Sequence, residues 1–119
     1  MAEKKNILLV DDDEDITEIL QDLLCEDYHI WLAGNGMEAW EIIQKSKPDL
    51  MITDLKMPHM DGRELVKKLR DGGFVFPVVV ISGASFDPEY LKAAGINHVL
   101  TKPFNQFDLD EICRRFLDS

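Results

Sequence analysis

No stretch of this sequence is apolar over anything near the roughly 20 residues that a membrane-spanning helix needs. The opening Met1-Ala2-Glu3-Lys4-Lys5 also lacks the hydrophobic segment of a secretory signal. Both absences point to a cytoplasmic protein with no membrane role. Cysteine is scarce: Cys25 and Cys113 make neither a C-x-x-C pair nor a zinc spacing. Each falls in an apolar helical pattern, so both read as reduced, partly buried small hydrophobes. His29, His59 and His98 show no ligand spacing, which argues against a histidine metal centre. Basic charge is short as well. Thirteen Lys and Arg stand against 23 Asp and Glu for a formal net charge of -10, and no Lys or Arg occurs between Asn6 and Gln44. A chain so charged has no basic excess with which to neutralise a phosphate backbone, so direct nucleic-acid binding is disfavoured. No linker, internal repeat or low-complexity tract divides the sequence. With 119 residues and 45% apolar content, it reads as one domain over residues 1–119 around one ordinary core.

What is present is an alternation of two periods. Ile7-Leu8-Leu9-Val10 is continuously apolar and stops at carboxylates, as expected of a strand covered on both faces. Leu50-Met51-Ile52-Thr53 ends likewise at Asp54, and Val78-Val79-Val80-Ile81 ends at Ser82-Gly83. Tyr28 to Ala33 and His98 to Leu100 are weaker strand candidates. Between these runs the period becomes helical. Ile16, Ile19, Leu20, Leu23 and Leu24 form one stripe, and Leu109, Ile112, Cys113, Phe116 and Leu117 repeat it. Ala39, Ile42 and Ile43 mark a second helix, and Leu65, Val66 and Leu69 a third. Asn35 with Glu38, and Asp61 with Glu64, have the offset of a capping box. Gly72-Gly73 closes the third helix, and Gly95 closes a short one from about Pro88 to Ala94. Strand and helix therefore alternate five times through short connections, which predicts right-handed crossovers, a parallel sheet and helices on both faces. The expected architecture is a (βα)5 sandwich, to which the strand order 2-1-3-4-5 of flavodoxin-like sheets is applied as a precedent.

In such a sheet ligands bind beyond the carboxyl ends of the strands, where the strand order reverses. Asp11 and Asp12, Asp54, and Ser82 all occupy strand ends, and the fifth strand brings Lys102, from Thr101-Lys102-Pro103, to the same rim. Three converging carboxylates repel one another unless a cation intervenes. All-oxygen ligands favour Mg²⁺. A carboxylate surrounded by metal, Lys and a hydroxyl suits phosphoryl transfer, with Asp54 as a nucleophile forming an acyl phosphate. The plain alternative is that Asp11 to Asp15 simply decorate a helix N-terminus, a part that Asp13, Glu14 and Asp15 take in either reading. The joint placement of reactive residue types at four strand ends favours the chemical reading.

From about Lys4 to Leu117 the chain resembles a receiver domain of two-component response regulators, of the chemotaxis-regulator-like kind. The resemblance rests on Asp54-Leu55-Lys56-Met57-Pro58-His59-Met60-Asp61-Gly62, which matches the family's D-x-x-M-P-x-M-D-G signature. With it stand Ile7-Leu8-Leu9-Val10-Asp11-Asp12, Val80-Ile81-Ser82-Gly83-Ala84 and Thr101-Lys102-Pro103-Phe104. It implies that Asp54 accepts a phosphoryl group from a phosphohistidine on a sensor histidine kinase or phosphotransfer protein. Asp12, Asp54 and the backbone carbonyl of Lys56 would hold Mg²⁺ directly, and Asp11 mainly through water. Lys102 and Ser82 would contact phosphoryl oxygens, and the Lys102–Pro103 bond would be cis. Ser82 moving inward would remodel the face formed by the fourth and fifth helices and so control a downstream output partner or domain. Two departures stand out: Val99 replaces the aromatic residue common three positions before the Lys, and the stretch from Ser82 to Lys102 is slightly short. Lys56 and Ala84 lie where the family tunes dephosphorylation.

Two other functions compete. One is a docking module of the same fold that is not phosphorylated. The other is a small-molecule phosphatase using an aspartate nucleophile, suggested by Asp11-x-Asp13. Asp15 there stands where haloacid-dehalogenase-like enzymes place Thr or Val, and the chain has little room for a substrate cap.

Overall fold

A computed structural model describes residues 4–55, 60–84 and 86–117. The elements run β1 (Asn6–Val10), α1 (Glu14–Leu24), β2 (His29–Ala33), α2 (Gly36–Lys45), β3 (Leu50–Asp54), α3 (Gly62–Asp71), β4 (Val78–Ser82), α4 (Pro88–Ala94), β5 (His98–Thr101) and α5 (Gln106–Leu117). All strand pairs are parallel, in the order β2-β1-β3-β4-β5. The expected fold class and strand order are those observed.

The continuous apolar runs are explained by burial on both faces, because successive side chains alternate across a strand. Leu8, Val10, Met51, Val78 and Val80 pack with residues of α2 and α3 on one side. Ile7, Leu9, Leu50, Ile52, Val79 and Ile81 pack with residues of α1 and α5 on the other. Local signals set the helix starts. Asp13 caps α1 by accepting from the backbone N–H groups of Asp15 and Ile16, and Asp61 caps α3 by accepting from Glu64 at 2.9 Å. Asn35 accepts from Glu38 at 2.9 Å, while the Glu38 carboxylate accepts from Gly34 rather than from the cap residue itself.

The phase of α1 differs from the stripe expected. Its sheet-facing line is Thr17, Leu20 and Leu24; Ile16 and Leu23 are half-buried, and Ile19 is 56% exposed. At about 100° per residue, Ile19 and Cys25 lie more than a quarter turn from that line on opposite sides. Cys25 is accordingly exposed at the helix end, contrary to the expectation of partial burial, whereas Cys113 is fully buried against the sheet. The buried Thr17 hydroxyl is satisfied by donating to the Glu14 carbonyl at 3.0 Å.

Arg70 ties the end of the sheet opposite the carboxylates. Its Nε and Nη2 donate to the Gly95 carbonyl, Nη1 to the carbonyls of Phe74 and Phe76, and Nη2 also to Asn97 Oδ1, all at 2.8–3.1 Å. The last turn of α3 is thus fastened to the approach to β4 and to the end of α4. Gly95 has φ +80°, the left-handed conformation that closes a helix, and a Cβ there would lie 2.8 Å from Arg70 Cγ. α4 itself has no buried residue.

Candidate functional site

Strand register brings the site together. Val10 pairs with Thr53, so one step further along both strands Asp11 lies beside Asp54. Asp11 stays on the sheet by donating its backbone N–H to the Ala33 carbonyl at 3.1 Å. Carboxylate oxygens of Asp11, Asp12 and Asp54 lie within 4.8 Å of one another. Asp11 is buried, Asp54 half-buried and Asp12 exposed.

This crowding shows in Asp11, whose pKa is raised to about 6. Burial is the main cause, and the charges of Asp54 and Asp12 add to it. The Asp13 backbone N–H, donating to Asp11 Oδ1 at 2.9 Å, and the Lys102 ammonium pull the other way. Three oxygen donors with a frustrated negative charge, and no nitrogen or sulfur among them, fit a hard divalent cation such as Mg²⁺.

On its other side Asp54 opens into a cavity of about 640 Å³ lined also by Leu55, Asp61, Arg63, Ser82, Gly83, Ala84, Phe86 and Lys102. Asp54 therefore belongs both to the acidic cluster and to a cavity that supplies an ammonium, a guanidinium and a hydroxyl. Lys102 reaches the rim because its N–H donates to the Ser82 carbonyl at 2.8 Å, carrying the β4–β5 ladder past Thr101. The Lys102–Pro103 bond is cis, as the resemblance implies. Ser82 Oγ accepts from the Ala84 backbone N–H at 3.1 Å. The Lys56 carbonyl, the remaining expected metal ligand, lies outside the described residues.

Gly62 and Thr53 secure the end of β3. Gly62 donates its N–H to the Leu55 carbonyl at 2.8 Å, and a Cβ on Gly62 would lie 2.5 Å from the Asp54 carbonyl oxygen. The buried Thr53 hydroxyl donates to that same carbonyl at 2.8 Å. Sequence reasoning named neither Arg63 nor Phe86 as part of the site. An exposed Arg in the first turn of a helix and an aromatic residue in a loop have no distinguishing spacing, and their meeting depends on how α3 and α4 pack. Val99, in β5 opposite Val80, offers no ring at the position where many receivers carry one.

Among the described residues no helix is long and apolar enough to cross a membrane. The family profile described as response regulator receiver domain matches residues 7–114. The response regulator Rre1 of Synechocystis sp. is 36% identical over 98% of this chain, which spans 53% of that relative's length. The chemotaxis response regulator CheY4 of Vibrio cholerae superposes with a TM-score of 0.88 at 31% identity, covering 97% of this chain and 100% of its own. The receiver domain of the sensor histidine kinase PA1611 from Pseudomonas aeruginosa shares the fold, with a TM-score of 0.87 at 24% identity, covering 98% of this chain and 100% of its own. It was crystallised with a magnesium ion coordinated in its active-site cleft. With a profile match over most of its length, the same strand order and a relative above 30% identity, this chain belongs to the response regulator receiver domain family of two-component signalling.

Proposed function

We propose that this chain is a phosphorylation-dependent switch, a single receiver unit over residues 1–119, in which Asp54 is the phosphoacceptor. A carboxylate oxygen of Asp54 attacks the phosphorus of a phosphohistidine on a sensor histidine kinase or a phosphotransfer protein. The new O–P bond forms as the P–N bond breaks, and the bonding pair stays with the imidazole nitrogen. Asp54 is then an acyl phosphate, which water returns to the carboxylate and inorganic phosphate. Lys102 pairs with phosphoryl oxygens, Ser82 donates its hydroxyl to another, and the rim holds the donor in line. Asp11, Asp12, Asp54 and the Lys56 carbonyl would hold Mg²⁺. When bound, that ion neutralises the charge that accumulates on the phosphoryl oxygens. The magnesium seen in the PA1611 receiver domain supports this assignment.

The observation that carries the reading is the double membership of Asp54. It shares one flank with two further carboxylates and the other with Lys102 and Ser82. Phosphorylation exchanges one carboxylate charge for a phosphoryl group carrying about two, a net gain of about one negative charge spread over three oxygens, which the Lys, the cation and the donors must absorb. Ser82 shifts toward the phosphoryl group and draws the loop that leads to α4. The face of α4, β5 and α5 then changes the affinity for an output partner or domain. A cytoplasmic setting, without direct nucleic-acid or membrane contact, belongs to the same reading.

Incubation with Mg²⁺ and a small acyl phosphate tests it. The expected result is one acid-stable, base-labile adduct per chain, absent from Asp54→Asn. No adduct would favour the docking module, continuous release of phosphate from unrelated esters would favour the phosphatase, and an adduct mapped to another residue would overturn the assignment of Asp54.

A further inference from the structure

Arg63 links the Asp54 cavity to α4. It lines that cavity together with Asp54 and Phe86. Its guanidinium carbon also lies 6.0 Å from the centroid of the Phe86 ring and 5.8 Å from that of Tyr90. The two rings stack on each other, with centroids 5.7 Å apart and planes 22° from parallel. Tyr90 belongs to α4, and Phe86 precedes that helix's N-cap, Asp87. α4 has no fully buried residue; Leu91 and Ala94 rest half-buried on the core, and contacts at its two ends add to that shallow attachment. Arg70 holds the Gly95 end through two hydrogen bonds, and the Arg63–Phe86–Tyr90 stack holds the other.

We propose that Arg63 is a positioning residue that couples the charge on Asp54 to the attachment of α4. With Asp54 unmodified, its guanidinium rests on the Phe86–Tyr90 stack; with Asp54 phosphorylated, it turns to the phosphoryl oxygens and releases the stack. The inference rests on the reading of Asp54 as phosphoacceptor. Its energetics follow from what competes for the guanidinium. A cation over a half-buried Phe ring and an exposed Tyr ring is weakly held beside a charged ligand. A phosphoryl group offers charge-assisted, bidentate hydrogen bonds that suit the planar fork of Arg. A Lys at this position would offer a point charge and lose both the stacking and the fork. Once the stack is released, α4 remains held at Gly95 by Arg70 and through half-buried Leu91 and Ala94, so the change is greatest at its first turn, around Tyr90. The coupling is reciprocal: a partner that covers Phe86 and Tyr90 displaces Arg63 toward the cavity and stabilises the phosphorylated form. Val99 puts no ring beside Val80 to transmit the change, whereas Phe86 of the Phe86–Tyr90 stack lines the cavity directly.

The test uses the whole chain, with Mg²⁺ and excess acyl phosphate maintaining the adduct and intact mass confirming it. NMR reads the ring-current shift of the Arg63 side-chain protons and the amide exchange of residues 89–96. In the wild type, phosphorylation should collapse the ring-current shift and raise exchange severalfold. Arg63→Ala should exchange at the raised level before phosphorylation and change little after it. Tyr90→Leu keeps Arg63 and the cavity but removes half of the stack. It should likewise start at the raised level, and it decides the matter should Arg63→Ala form no adduct. A wild-type ring-current shift that survives the adduct, or an equal rise in exchange in the wild type and Tyr90→Leu, would overturn the coupling and leave Asp54 as phosphoacceptor. Absence of any wild-type adduct would overturn both.

Discussion

Asp11→Asn should make the metal-free protein more stable at neutral pH. The Asp11 carboxyl titrates near 6 in the folded chain, against 3.8 when unperturbed. A group whose pKa is raised on folding penalises the native state when ionised. That penalty is complete above about 6 and vanishes below 3.8, so this group adds stability as pH falls through that window. Two pKa units correspond to roughly 3 kcal/mol. Solvent reaching the cluster through exposed Asp12 reduces this, leaving about 1–2 kcal/mol. Asn removes the charge yet keeps an Oδ1 to accept from the Asp13 N–H, so the local hydrogen bond survives.

Urea denaturation in EDTA, from pH 7.5 to 4.5, measures the effect. Asp11→Asn should exceed the wild type by about 1–2 kcal/mol at pH 7.5, converging as the wild-type carboxyl protonates. The difference between the proteins matters more than either curve, because His98 works in the opposite direction. Burial, aided by Arg115 and opposed by Glu111, lowers its pKa, so its contribution is lost as pH falls below its unperturbed 6.5. That contribution cancels in the comparison. Mg²⁺ at a hundredfold its Kd should add about 2.7 kcal/mol to the wild type and much less to the variant. A variant less stable than the wild type in EDTA at pH 7.5, or a difference that does not change with pH, would refute the view of Asp11 as a carboxylate held at a cost.

Gly62→Ala should lose about 1–3 kcal/mol in urea denaturation and slow adduct formation, because its Cβ would sit 2.5 Å from the Asp54 carbonyl oxygen and displace the end of β3. Unchanged rates would show that the close approach is not needed. Arg70→Ala should cost about 2 kcal/mol, since the carbonyls of Phe74, Phe76 and Gly95 lose the guanidinium together, while Asn97 Oδ1 keeps the Val78 N–H. Arg70→Lys should recover less than half of that loss, because an ammonium cannot span the same fork. Asp61→Ala should lose about 1 kcal/mol by thermal denaturation through loss of the α3 cap, and Asp61→Asn should retain most of it.

Much of the framework was legible because it depends on short-range pattern. The runs ending at Asp11, Asp54 and Ser82 are apolar on both faces, which only a covered strand requires, and each run ends where the sheet does. The capping offsets at Asn35 and Asp61 are likewise local chemistry. What was not legible depends on tertiary phase. The spacing from Ile16 to Leu24 is helical wherever the helix faces. Packing on the sheet then selects Thr17, Leu20 and Leu24 and leaves Ile19 and Cys25 outside. The same limit hid Arg63, whose contacts come from a separate element across the groove between α3 and α4.

The sheet that made the site legible also makes its charge hard to relieve. Asp11 follows directly on Val10, whose pairing with Thr53 is locked by alternating burial on both faces of β1 and β3. Slipping by one residue would exchange the whole set of side chains between the two cores, so the register cannot shift to separate the carboxylates. Rotation of one side chain offers little relief, because Asp11 is only 5% exposed and is held by the Asp13 N–H. Two responses remain: protonation of Asp11 or a bound cation. Each acts on the same strained cluster. A fold that could relax its carboxylates apart would bind metal more weakly, since the repulsion that the metal relieves would already have been lost.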